Sequence, residues 1–256
     1  MKTNRPTSTE MVFILDRSGS MGGLEADTIG GFNGMIESQK AEPGAAVVTT
    51  VLFDDRTDVI ANRVPLNQVA PLTSREYFVR GCTALLDAVG NTIRRVNHAQ
   101  KASPWGRPDK TIFVITTDGM ENASKHYSLA EVKRMIEKRR RKNDWEFIFL
   151  GANIDAIETA RTMGIAENRA ANFVCDSVGT ALNYGTISEQ VIAPMRCGVA
   201  ISEDWKAPIE ADFAARGEQQ RAWASPTTIE NLSRRRGSRR VESLPLKAPR
   251  HHRFPS

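Results

Sequence analysis

Met11-Val12-Phe13-Ile14-Leu15-Asp16-Arg17-Ser18-Gly19-Ser20-Met21-Gly22-Gly23 decides how the rest of the chain is read. Five consecutive apolar residues without alternation suit a strand buried on both faces, the signature of a parallel sheet. The run breaks into a loop of Asp, Ser and Gly, and then Leu24, Thr28, Ile29, Phe32, Met35 and Ile36 recur at three- and four-residue intervals. That spacing predicts a helix from about residue 24 to 41, stopped by Pro43-Gly44. Strand, glycine-rich loop and helix thus follow one another.

Downstream, the alternation continues. Residues 46–53 and 57–64 are β-rich runs joined by Asp54-Asp55-Arg56, a turn too short for a crossover, so one edge strand is antiparallel. Leu85, Leu86, Val89, Thr92, Ile93 and Val96 mark a second helix, and residues 111–117 form an apolar-centred strand ending at Asp118-Gly119. Ser128-Leu129-Ala130-Glu131 has capping-box spacing and opens a helix that ends in Lys138-Arg139-Arg140-Arg141-Lys142. Residues 145–151 read as a strand, 155–163 as a short helix, 171–175 as a last strand and 178–196 as one more helix, with weak helical character over 205–221. The predicted class is α/β: a doubly wound, mostly parallel central sheet of about six strands with one antiparallel edge strand and helices on both faces.

Composition narrows the function classes. The chain has 256 residues, with 18 Gly, 12 Pro and 3 Cys, and its hydrophobic share of 40% excludes a fully disordered or collagen-like chain. No stretch approaches the roughly 20 apolar residues that span a bilayer, and no secretory core follows the N-terminus, so a cytoplasmic location without membrane contact is expected. Cys82, Cys175 and Cys197 share no metal-binding spacing and predict neither a disulfide framework nor a zinc site. Residues 196–256 carry 12 basic and 7 acidic residues, leaving 23 of each in residues 1–195, so the whole cationic excess lies at the C-terminal end.

In an open α/β sheet, ligands collect beyond the carboxyl ends of the strands. The first strand delivers Asp16, Ser18 and Ser20, a later one delivers Asp118, and Thr83 supplies a hydroxyl just before the second helix. Carboxylates and hydroxyls without His or Cys form an all-oxygen set that suits Mg²⁺ or Mn²⁺ better than zinc.

These residues resemble those of a von Willebrand factor A (vWA) domain with a metal-ion-dependent adhesion site, or MIDAS. Asp16-Arg17-Ser18-Gly19-Ser20 resembles the family's first metal loop, Thr83 its second and Thr117-Asp118-Gly119 its third. The likeness covers roughly residues 8 to 175 and is greatest to stand-alone bacterial members, through Asp27-Thr28-Ile29-Gly30-Gly31-Phe32-Asn33, Thr83-Ala84-Leu85-Leu86-Asp87-Ala88 and residues 145–155. It implies that Ser18, Ser20 and Thr83 contact a metal through hydroxyls and that Asp16 and Asp118 act mostly through bound water. It further implies that a partner's Asp or Glu carboxylate completes the coordination. The expected organisation is a vWA domain over 8–195, a helical extension over 196–224 and a basic, disordered tail over 225–256. The expected function is metal-dependent protein binding without catalysis.

Two other classes stay open from the residues alone. A metal-dependent phosphatase or hydrolase could use the same crevice, although the chain has no Asp-x-Asp at this loop, no Gly-x-Ser-x-Gly elbow and no Walker-type loop. The Arg234–Arg240 cluster offers phosphate-binding charge without base-specific readout, so weak nucleic-acid contact by the tail is the other alternative. Cys82 is expected to be packed, His126 to lie on a surface loop, Glu121 and Asn122 to build their loop, and Lys138–Lys142 to be a solvated face complementing the helix dipole.

Overall fold

In the computed structural model, which describes residues 8–103 and 107–217, the apolar run around Met11 forms the centre of the sheet. The strands are β1 (Thr9–Asp16), β2 (Ala46–Phe53), β3 (Thr57–Pro65), β4 (Lys110–Thr117), β5 (Trp145–Gly151) and β6 (Ala170–Asn172). Their order is β3-β2-β1-β4-β5-β6, with β2 and β3 antiparallel and every other pair parallel. The doubly wound sheet with a reversed edge is as the sequence predicts.

Alternation along β1 divides the core in two. Met11, Phe13 and Leu15 face a layer containing Phe32, Met35 and Ile36 of α1 (Glu25–Ala41), whereas Val12 and Ile14 face Val89, Ile93 and Val96 of α2 (Leu85–Ala102). Both layers exclude water, which explains why β1 carries no polar alternation. On the α2 side, Phe113 stacks on Phe147 with ring centroids 4.7 Å apart. The second layer also holds α3 (Leu129–Asn143) and α4 (Ala156–Thr162). The capping box of α3 is formed as predicted: Ser128 Oγ accepts from the Glu131 amide and the Glu131 carboxylate accepts from the Ser128 amide.

The predicted last strand is shorter than expected. It spans Ala170–Asn172, because Asp176 caps the next helix, α5 (Ser177–Thr186), by accepting from the Gly179 amide at 2.8 Å, and the chain must turn before reaching it. The α5 segment continues through a π-helical stretch, Ile187–Ile192, into α6 (Ala193–Arg196). Then Arg196, 1% exposed, reaches the end of α1 and donates to the carbonyls of Gln39, Glu42 and Gly44. This one guanidinium thereby ties the last turn of α1 to the loop that follows it. Past it, Trp205 and Ile209 of α7 (Ala207–Asp212) join the same core layer as Phe13 and Phe32. Residues 225–256, expected from composition to form a basic tail, lie outside the described residues. No helix among the described residues is long and apolar enough to cross a membrane.

Candidate metal centre

The sheet order dictates where the two carboxylates meet. β1 and β4 are parallel neighbours in register through Leu15 and Thr116, while the chain leaves them towards opposite edges. This is the topological switch point, where a crevice opens beyond the strand ends. Asp16 ends β1 and Asp118 follows β4.

All five predicted residues come together there. Thr83 Oγ1 donates to Ser18 Oγ at 3.0 Å, Ser18 Oγ lies 3.1 Å from Ser20 Oγ, and Ser20 Oγ donates to Asp118 Oδ1 at 2.5 Å. Asp16 stands behind this chain of hydroxyls. Its Oδ1 accepts from the Ser18 amide at 2.7 Å and its Oδ2 from Thr117 Oγ1 at 2.5 Å, while Tyr77 Oη donates to its backbone carbonyl at 2.6 Å. Asp16, Ser18, Thr83 and Asp118 are buried and Ser20 is exposed, so solvent reaches the cluster from one side.

Backbone geometry brings the loops this close. The Gly19 amide donates to the Gly81 carbonyl at 3.2 Å, joining the first loop to the second. At Gly119 a Cβ would lie 3.0 Å from both Ser20 Oγ and Thr83 Oγ1, so a side chain there would crowd the two hydroxyls. Asn122 then fixes the second loop on the third: its Oδ1 accepts from the Thr83 amide at 2.9 Å and its own amide donates to the Thr83 carbonyl at 3.0 Å. Glu121 accepts from the amides of Leu86, Ala123 and Ser124. Both residues build the loop as expected, and Asn122 also sets the position of Thr83. Asn122→Ala should therefore weaken divalent-metal affinity about tenfold, the equivalent of one lost positioning hydrogen bond. Calorimetric titration of the variant checks this, with unchanged affinity as the contrary result.

Sequence reasoning passed over Arg17, which lies between two candidate ligands yet points away from them. Its guanidinium pairs with Asp54 Oδ2 at 2.9 Å, with Asp58, and with the Glu76 carbonyl at 2.9 Å. Arg80 pairs with the same carboxylates at 2.7 and 3.0 Å. Burial alone would raise the Asp54 carboxyl, but hydrogen bonds from Arg80, from its own turn and from Arg17 hold it below its ordinary value. The signal available in sequence was the acidic hairpin turn, Asp54-Asp55, facing a lone arginine in the loop.

Cys175 is the second omission. Its thiol lies 3.7 Å from Asp118 Oδ2, and burial followed by the charge of Asp118 pushes it up to about 12. Cys82, expected to be packed, is instead exposed. Gly81 before it adopts φ 65° with the Asp55 carboxylate packed where a Cβ would sit, and this turn directs residue 82 outward. His126 is exposed on its loop as predicted, held by its amide, which donates to Asp87 Oδ1 at 2.9 Å. Within the basic run, Arg139 sits over the Trp145 ring and Arg140 donates to the Gly164 carbonyl, so the face is only partly solvated.

The electrostatics fit a hard cation. Burial raises the Asp16 carboxyl from 3.8 to about 6 and also raises Asp118, and among the described residues no Lys, Arg or His offsets either. There is likewise no group of three or more His, Cys, Asp or Glu placed to hold a metal ion among them; the donors here are two carboxylates and three hydroxyls. Such oxygen donors suit Mg²⁺ or Mn²⁺. In metal-free protein the folded chain holds the Asp16 proton to about pH 6, whereas the unfolded chain releases it near 3.8. The folded state therefore binds more protons in this window, and stability falls as pH rises through it by at most about 1.4 kcal/mol per pH unit. Urea midpoints across the window should show a shallower slope for Asp16→Asn; equal slopes would contradict this origin.

Three solved structures share the architecture. The von Willebrand factor domain of the type V pilus tip protein Mfa5 from Porphyromonas gingivalis matches with a TM-score of 0.56 and 8% identity, covering 77% of this chain and 98% of that one. A von Willebrand factor type A protein from Catenulispora acidiphila matches at 0.51 and 14% identity, over 72% of this chain and 42% of that one. Proximal thread matrix protein 1 of the mussel byssus, solved with a zinc-occupied MIDAS motif, matches at 0.51 and 13% identity, over 75% and 46%. The chain thus spans less than half the length of the last two. No protein-family model matches it, and no curated protein matches it in sequence. The sheet order, the reversed edge strand and these likenesses agree that the described residues form a von Willebrand factor A fold.

Proposed function

We propose that this chain is a divalent-metal-dependent protein-binding module whose site is held by Asp16, Ser18, Ser20, Thr83 and Asp118. The observation that carries the reading is the hydrogen-bonded run Thr83–Ser18–Ser20–Asp118 at the switch point, backed by two buried carboxylates without a cationic partner among the described residues. Ser18, Ser20 and Thr83 present neutral hydroxyl oxygens, while Asp16 and Asp118 orient them and supply the negative charge. Bound Mg²⁺ or Mn²⁺ supplies an incompletely neutralised electrophilic position that a partner's Asp or Glu carboxylate can occupy. The exposed Ser20 edge leaves the approach open to such a group. Thr117 holds the carboxylate of Asp16 and Tyr77 its backbone carbonyl from behind, so the donors are set before a ligand arrives.

A fluorescent pentapeptide with one central aspartate between two serines tests the reading. It should bind the full chain in Mg²⁺ or Mn²⁺ and be released by chelator, and Asp118→Ala should lower its affinity by two orders of magnitude or more, as expected for losing a buried charged partner. Binding that survives chelation, or is unchanged in Asp118→Ala, would contradict it.

A further inference from the structure

A groove of about 770 Å³ opens between the edge strand β3 and α2. Thr57 and Asn62 line it from the strand, and Asn91, Arg94, Arg95 and His98 line it from the helix. The four helical residues are spaced at i, i+3, i+4 and i+7 and so form one stripe, while Val89, Ile93 and Val96 of the same helix enter the core. None of the six is a candidate metal ligand.

The charge along this groove is not compensated by acids. Residues 88–108 hold Arg94, Arg95, His98, Lys101 and Arg107 and contain no Asp or Glu. Asp58, the one acid of β3, is engaged elsewhere, paired with Arg17 and Arg80. Arg95 and His98 make no hydrogen bond or ion pair among the described residues. Arg94 is held, but by a neutral group: Tyr127 Oη accepts from its guanidinium at 3.2 Å and donates to Asn91 Oδ1 at 3.4 Å. The Tyr127 ring packs where Gly90 has no side chain, since a Cβ there would lie 2.7 Å from it, and the Tyr127 amide donates to Asp87 Oδ1 at 2.9 Å. The phenol thus fixes two groove residues in place and leaves the cationic charge intact.

The chemistry of the lining selects the ligand. Two adjacent guanidinium forks match the oxygens of phosphate groups, and the amides of Asn62 and Asn91 with the Thr57 hydroxyl offer uncharged donors to the remaining oxygens. The stripe from Asn91 to His98 runs about 10 Å along the helix, enough for more than one phosphate group. None of these six side chains is an aromatic ring other than the His98 imidazole, so a platform for stacking successive bases is not present among them. We infer that the β3–α2 groove is a second binding site of this chain, for a compact oligophosphate anion gripped by Arg94 and Arg95. It acts independently of the metal centre.

Calorimetric titration of inorganic tripolyphosphate into the full chain, in excess chelator, tests this. The wild type should bind it, and bind orthophosphate more weakly. Arg94→Gln with Arg95→Gln should weaken tripolyphosphate binding at least about tenfold, as expected for losing charge-assisted hydrogen bonds. Arg141→Gln with Lys142→Gln removes the same charge from exposed positions of α3 and should leave affinity within about twofold. Asn62→Asp, on the opposite wall, brings a carboxylate to the groove and should weaken binding without touching either arginine. Thermal melts establish that each variant is folded. No binding by wild type, or affinity unchanged in both groove variants, would overturn the inference. Equal losses in the α2 and α3 double variants would assign binding to net charge alone and overturn it too. A hexaglutamate peptide bound as tightly as tripolyphosphate would have the same consequence, because the groove would then not distinguish phosphate from carboxylate.

Discussion

Arg17→Ala should lower the unfolding free energy by about 3–5 kcal/mol, the range for removing one partner of a buried ion pair. The substitution leaves Asp54, whose side chain is fully buried, to Arg80 alone, and removes the donor that reaches the Glu76 carbonyl. Because Arg17 stands between Asp16 and Ser18, the same change should loosen the loop that presents the candidate ligands. Arg56→Ala, at an exposed turn position of the same hairpin, is the control and should stay within about 0.5 kcal/mol of wild type. Urea unfolding of the two variants gives the comparison. Equal midpoints for Arg17→Ala and Arg56→Ala would show that the network is surface decoration.

Trp205→Ala should cost about 3–5 kcal/mol, as for truncating a large buried aromatic. Trp205 is fully enclosed, and its indole Nε1 donates to the Asn168 carbonyl at 2.7 Å. It packs in the layer shared by α1, β1 and the segment Ile187–Met195, so loss of the ring opens a cavity under the central sheet. Trp205→Phe refills most of that volume and should recover more than half of the loss. A variant whose urea midpoint matches wild type would mean that residues beyond α6 add nothing to the core.

The central strands were legible because burial on both faces leaves uninterrupted apolar runs: β1, β4 and β5 read directly as strands. The hairpin was legible because Asp54-Asp55-Arg56 is too short to cross over, and the α3 start because a capping box is a local pattern. Local signals also singled out the five residues that the fold brings together at the crevice. Asp16, Ser18 and Ser20 fall within five residues, Thr83 just precedes a strongly patterned helix and Asp118 directly follows a strongly patterned strand.

What sequence reading missed depends on contacts between distant parts of the chain. Arg196 meets the end of α1, 157 positions away from Gln39, and nothing near Arg196 marks it as a helix cap. Cys175 reaches Asp118 across 57 positions, and a half-buried cysteine has no local pattern that distinguishes it from an incidental one. The β6 boundary was misplaced by the apolar residues Phe173 and Val174, which are buried in a turn towards the Asp176 cap rather than in the strand. Burial was readable there, but not the backbone direction.

The most direct measurement is calorimetric titration of Mg²⁺ and Mn²⁺ into chelator-stripped wild type and Asp16→Ala, with circular dichroism to establish that both are folded. Saturable uptake of one ion per chain by wild type and its loss in Asp16→Ala is the predicted result. Uptake retained unchanged in Asp16→Ala, or none by folded wild type, would contradict a metal centre at the β1–β4 crevice.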